Sequence, residues 1–269
     1  MIQAASRFGP LALPFAGRRA ARLVERNLTV YRRTWIIIFS GFFEPLLYLL
    51  GIGFGVGSLV GSLHGQSGVT ESYKVFVAPA LMASSAMNGA VYETTFNLFF
   101  KLKYAKLYDA ILATPLSVAD IALGEVGWAL MRGTTYAIGF VVVMTALGLV
   151  VSPWAALAVP AAILIGFAFA AAGTATTTYL RSWQDFDIVQ LVLLPLFLFS
   201  GTFYPLSSYP GALQVAVQVT PLYHGVHLIR GLTTGDVTAD LAVDAAYLAL
   251  MGVVGLTAAS RRLQTLLLR

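Results

Sequence analysis

Few residues in this 269-residue chain could do chemistry, and most of them lie inside apolar stretches. His224 and His227 are three apart, which puts two imidazoles on one side of a helix. Without a third ligand close by in sequence they make a weak metal signal, and no metal is assigned. There is no cysteine, which excludes thiol catalysis, disulfides and iron–sulfur clusters. No GxxxxGK[ST] phosphate loop occurs, so the chain does not bind ATP in the Walker manner. The glycines at 51, 53, 55 and 57 alternate, but they sit in membrane-length apolar sequence with no strand before them and are not a nucleotide loop. No nucleophile–base set stands out, so no catalytic residue and no enzyme activity are assigned. Four ionisable residues inside apolar blocks remain: Glu44, Glu93, Glu125 and Arg132. A charge near the bilayer centre costs about 2.5–3.5 kcal/mol on insertion scales, so it faces protein or water. These four either brace helices, with Arg132 against Glu125 or Glu44, or line a substrate route.

The elements that must position them are membrane spans. Hydrophobic residues make up 58% of the chain and charged residues 11%, against about 25% charged in soluble domains. The apolar blocks are long enough for helices of about 20 residues and lack the alternation of a β-barrel. The fold class is therefore all-α integral membrane. Six spans are expected, at about 35–59, 73–100, 118–151, 154–179, from 188 to about 200, and 241–259. Residues 1–34 form a basic amphipathic segment, 35–260 a single transmembrane domain and 261–269 a short basic tail. After Pro14 the first segment reads as an interfacial helix, with Val24, Leu28, Tyr31 and Trp35 on one side and Arg19, Arg22, Arg26 and Arg33 on the other. A plain topogenic arginine cluster is the alternative.

Topology follows from the cations. Fourteen of the seventeen lysines and arginines fall in the N-terminal segment, the 101–106 loop, Arg181 and the C-terminal tail. Lys74 and Arg230 fall on the other side. This bias puts both termini in the cytoplasm. Gly201 to Leu232 is not a clean span, because Pro205, Pro210 and Pro221 interrupt it. It reads as a re-entrant or interfacial pair of short helices on the outer side, between spans five and six.

The longest polar interruption in the first half is Lys101–Leu116, with lysines at 101, 103 and 106 and one acid, Asp109. Leu107, Ile111 and Leu112 can share a face of a short helix. Thr114-Pro115 ends that helix, and Ser117 with Asp120 caps the next. Such a helix on the basic side suits docking of a soluble partner; an ordinary loop is the alternative.

Here a family enters. The run YDAILATPLSVADIALGE, from Tyr108 to Glu125, resembles the first cytoplasmic loop of ABC-2 type transporter permeases, where an A-x-L-x-T-P run sits at the coupling helix. LPLFLFSGTFYPLSSYP, from Leu194 to Pro210, resembles their outer segment between spans five and six. The likeness is closest to the permeases of nodulation lipo-oligosaccharide and daunorubicin-type exporters. It implies the cytoplasmic-membrane subunit of an exporter, facing a second copy or a related permease chain, and moving an amphiphile such as a lipid-linked saccharide, a lipo-oligosaccharide or a hydrophobic drug. Separate ABC ATPase subunits would carry the ATP and magnesium; this chain would hold no cofactor and bind no nucleic acid, and lipid would surround it. The ATPase-coupling residues would be Leu107, Tyr108, Asp109, Ala110, Ile111, Leu112, Ala113, Thr114, Pro115 and Leu116, with Asp109 and the Leu107–Ile111–Leu112 face central. Arg181, Trp183 and Asp185 would form a second cytoplasmic contact. A proton-coupled secondary transporter and a non-transport scaffold are the alternatives.

Overall fold

The computed structural model of the chain describes residues 13–31, 43, 46–60, 62–64 and 70–268. The elements in order are α1 (Leu13–Tyr31), α2 (Leu46–Val60), a two-stranded hairpin of β1 (Ser62–His64) and β2 (Thr70–Ser72), α3 (Tyr73–Lys103), α4 (Leu107–Leu112), α5 (Val118–Ala146), α6 (Pro153–Thr177), α7 (Asp185–Leu198), α8 (Gly211–Val219), α9 (Pro221–Thr234) and α10 (Asp240–Leu267). The strands pair antiparallel, Ser62 opposite Ser72.

Four helices, α3, α5, α6 and α10, are long and apolar enough to cross a membrane. At 29 residues α5 is about 44 Å long, more than one hydrocarbon core, so its ends project into the interfaces. The start of the expected first span, Glu44 included, lies outside the described residues. The expected fifth span is shorter than a full crossing: α7 has 14 residues, about 21 Å. It stops because Phe199 leaves the helical region and Gly201 takes φ +70°. Beyond it the proline-rich stretch is two short helices, α8 and α9, parted by an extended Thr220.

The bundle is built around α6. Alanine and glycine let its neighbours come close: a Cβ on Gly255 of α10 would sit 2.9 Å from the backbone nitrogen of Ala172. Only a bare glycine permits that backbone contact. α3 is buried against α6, whereas α5 and α10 each keep an outer face of exposed apolar residues, such as Val142 and Leu250. α3 also widens into a π-helical turn over Glu93–Asn97, a distortion frequent at functional sites.

The N-terminal helix is where the sequence predicts it, but its buried face is different. Ala20, Leu23 and Asn27 are buried, while Leu28 is exposed. The reason is protein rather than lipid: α1 crosses α5 so closely that a Cβ on Gly124 would lie 2.7 Å from Leu23. The expected positions Arg33 and Trp35 lie outside the described residues.

Candidate functional site

The loop between α3 and α5 folds as a short helix held at both ends. Lys106 enters α4 in the left-handed region, φ 46°, and is the sole non-glycine residue with positive φ among the described residues. Such a conformation is costly without a constraint from its surroundings. At the far end the Thr114 amide and hydroxyl both donate to the Ile111 carbonyl, at 3.0 and 2.6 Å. Ser117 and Asp120 then form the expected capping box of α5, with Ser117 N donating to Asp120 Oδ2 at 2.8 Å. The Arg19 guanidinium of α1 donates to the Pro115 carbonyl at 3.2 Å.

This helix turns some of the expected coupling residues inward and leaves the others exposed. Tyr108 and Ile111 are buried against Leu23, Leu98 and Ile121, with Leu107, Leu112 and Leu116 packed around them. The apolar face is thus occupied by the chain's own α1, α3 and α5, because burying it there removes it from water. Asp109, Ala110, Ala113, Thr114 and Pro115 form the exposed face. Of the expected centre of the docking surface, Asp109 is exposed, Leu107 and Leu112 are half-buried and Ile111 is buried.

Above α4 stand two buried ion pairs. Glu125 of α5 accepts from Lys101 Nζ at 2.6 Å and from the Tyr108 hydroxyl at 3.0 Å. Burial, reinforced by the Glu125 charge, pushes the Tyr108 hydroxyl well above the usual phenol range, so it keeps the proton it donates to Glu125. Two turns along α5, Arg132 pairs with Glu93 of α3, which also accepts from Trp128 Nε1 at 2.9 Å. Arg132 Nε donates to the Tyr136 hydroxyl at 2.8 Å. The expected pairing of Arg132 with Glu125 or Glu44 is therefore replaced: Glu125 is taken by Lys101, and Glu44 lies outside the described residues. Residues 125, 128 and 132 fall on one face of α5, so a single stripe meets both charges of α3.

Beside the Glu93–Arg132 pair is a cavity of about 590 Å³, lined by Tyr31, Tyr48, Tyr92, Tyr136 and the amides of Asn88, Asn97 and Gln190 among others. Its volume is in the range of small-molecule sites.

The segment after α6 brings Trp183 onto an aromatic cluster, stacked on Phe99 with centroids 6.0 Å apart and edge-on to Phe186 at 5.0 Å. Asp185 closes this turn, accepting from the amides of Arg181 at 2.6 Å and Ser182 at 3.1 Å. Those bonds hold its carboxyl below the usual aspartate range. Arg181 and Trp183 remain exposed.

At the other end, the two imidazoles acquire a partner that sequence separation hid. Asp244 of α10 takes His224 Nδ1 on one oxygen at 2.6 Å and His227 Nδ1 on the other at 2.5 Å. These are hydrogen-bond distances, not the wider separation of two ligands on one ion, and no metal-holding group of three occurs among the described residues. Arg230, which the charge count puts on the outer side of the membrane, is buried. It donates to the Gly201 carbonyl at 2.8 Å and the Phe76 carbonyl at 3.2 Å, and lies 3.8 Å from the Phe76 ring centroid.

Four membrane-length helices, a short helix presented between two of them and a cavity beside buried ion pairs describe a polytopic membrane protein. The sequence profile of the ABC-2 type transporter family matches residues 20–233. The chain belongs to that family, as a membrane subunit of an ABC exporter, and membership implies an ABC ATPase as partner. It is 32% identical over 229 residues to nodulation protein J of Rhizobium meliloti (strain 1021), covering 84% of this chain and 85% of that one. The nodulation protein J of Rhizobium leguminosarum bv. viciae is 30% identical over 265 residues, covering 97% of this chain and all of its own. A probable doxorubicin resistance ABC transporter permease protein, DrrC, of Mycobacterium tuberculosis (strain CDC 1551 / Oshkosh) is 26% identical over 242 residues, covering 84% and 83%.

Proposed function

We propose that this chain forms half of an export pathway in the cytoplasmic membrane, with both termini in the cytoplasm and a second copy or a related permease opposite. It crosses six times as one transmembrane domain, residues 35–260, with α8 and α9 as the re-entrant outer pair. A separate ATPase, which holds the ATP and magnesium, docks on the exposed face of α4, at Asp109, Ala110, Ala113, Thr114 and Pro115. Arg181 and Trp183 lie on the same basic side as a second contact. The observation that carries the reading is the build of α4. A six-residue helix buries its apolar side against three longer elements, is fixed at both ends and leaves a small face outward. A push on that face is resisted by the bundle rather than absorbed by a loop.

The substrate is an amphiphile. Its headgroup fits the cavity beside Glu93 and Arg132, where tyrosines and amides offer hydrogen bonds and each of the two charges already has a partner. That lining suits an uncharged polar headgroup such as a saccharide. Glu93 and Glu125 are both in ion pairs, which counts against a carboxylate cycling protons as the energy source.

The test is isolation of the chain from its native membrane in mild detergent, with mass spectrometry of what stays bound. Ala110→Arg places a charge on the exposed face without touching the buried one. The reading expects a stoichiometric ATPase that Ala110→Arg releases while the permease stays folded. A folded chain that comes out without an ATPase, or with one indifferent to Ala110→Arg, would overturn it.

A further inference from the structure

Three elements meet on one buried oxygen pair. Glu125 is 4% exposed at its side chain; one oxygen holds Lys101 at the end of α3, and the other holds Tyr108 of α4. Tyr108 is 1% exposed, in a cluster that is otherwise apolar. Its hydroxyl is the one polar link from the buried side of α4 to α5 among the described residues. On the same face of α5, Trp128 and Arg132 hold Glu93, so α3 and α5 are joined by two ion pairs of opposite sense. The upper pair borders the cavity and the lower pair borders α4. Between them α3 is π-helical from Glu93 to Asn97, a distortion frequent at functional sites.

We propose that Glu125 is a positioning residue that transmits displacement of α4 to the cavity, with the Tyr108 hydroxyl as its contact to the moving helix. This rests on the reading of α4 as the ATPase-docking element. When the docked partner displaces α4, the Tyr108–Glu125 bond draws on α5, and Lys101 draws on α3 through the same carboxylate. The two helices then slide relative to one another at the π turn, and the Glu93–Arg132 pair and the cavity walls move with them. Without the Tyr108 hydroxyl the apolar contacts of α4 still bury it, but they are non-directional and fix no register. The expected defect is therefore loss of transmission, not loss of docking.

The test uses the full-length permease bound to its ATPase in lipid nanodiscs. The chain has no cysteine, so Ser85→Cys and Leu194→Cys place two spin labels across the cavity cleanly. The distance distribution is measured without nucleotide and with a non-hydrolysable ATP analogue, for the labelled parent, Tyr108→Phe and Glu125→Gln. The proposal expects both variants to bind the ATPase with near-parent affinity while the nucleotide-driven population shift falls by about fivefold or more, the lower range of couplings between linked sites. Parent-like shifts in folded, ATPase-bound Tyr108→Phe would overturn it. So would weaker ATPase binding and lower thermal stability with the shift intact, which is what a merely structural role gives. A parent chain that binds no ATPase would remove the docking reading and the relay together; a parent that shifts beside variants that also shift would remove the relay alone.

Discussion

Arg132→Met severs the ion pair that joins α3 and α5 at the cavity. Glu93 is 4% exposed and would keep only its bond from Trp128 Nε1. Breaking a buried pair from one side costs about 3–5 kcal/mol, because the surviving charge stays buried. Trp128 remains, and the Arg132 side chain is 17% exposed at the cavity edge, so the lower end, about 3 kcal/mol, is expected here. Glu93→Gln is milder, about 1–2 kcal/mol, since a glutamine oxygen still accepts from Trp128 and Arg132 still has the Tyr136 hydroxyl. The double variant removes both charges and is expected within about 1 kcal/mol of wild type, as for other buried pairs replaced by neutral groups. The cycle, the double cost minus the two single costs, then gives a coupling of about 3–6 kcal/mol in magnitude. Reversible unfolding in mixed micelles with a denaturing detergent, followed by far-UV circular dichroism, measures all four proteins. Additivity within about 0.5 kcal/mol would refute the argument, because it would mean the two side chains do not depend on each other.

Gly255→Ala should lower stability by about 1–3 kcal/mol by overpacking, since the backbone of Ala172 cannot retreat, while Gly133→Ala, whose Cβ meets nothing within 4 Å, should be neutral or better; melting temperatures in one detergent separate them. Ser117→Ala should cost about 0.5–2 kcal/mol and speed amide exchange in the first turn of α5, where the capping box now holds it. The Asp185 turn should be insensitive to pH above about 4, the ordinary aspartate range, because its carboxyl is depressed in the folded chain. Its stabilisation is present above the unfolded value and is lost as pH falls through the lower folded one. Faster amide exchange at Arg181 and Ser182 should therefore appear only on strong acidification, and at neutral pH in Asp185→Asn.

What the sequence makes legible follows the physics of short range. The capping box, the break at Thr114-Pro115 and the split of the 201–232 stretch rest on neighbours a few residues apart, and the structure has them all. Four long spans are legible because apolar length is local too. Pairings across the bundle are not. Arg132 offers Glu125 seven residues away as a partner, yet the twist of α3 against α5 delivers Glu93, thirty-nine residues away. Asp244 is invisible from His224 for the same reason, at a separation of twenty. The buried side of α4 was the subtler case. An apolar stripe on a short helix says that something covers it, and only the crossing of α1 over α5 shows that this chain covers it itself.

The central claim is that the exposed face of α4 receives an ATPase. Photo-crosslinking in native membranes tests it most directly, with a benzoylphenylalanine placed at Asp109 and, as a comparison, at Val142 on the exposed apolar flank of α5. The account predicts one covalent adduct with a Walker-type ATPase from position 109 and none from position 142. No ATPase adduct at 109, or equal labelling from both positions, would contradict it.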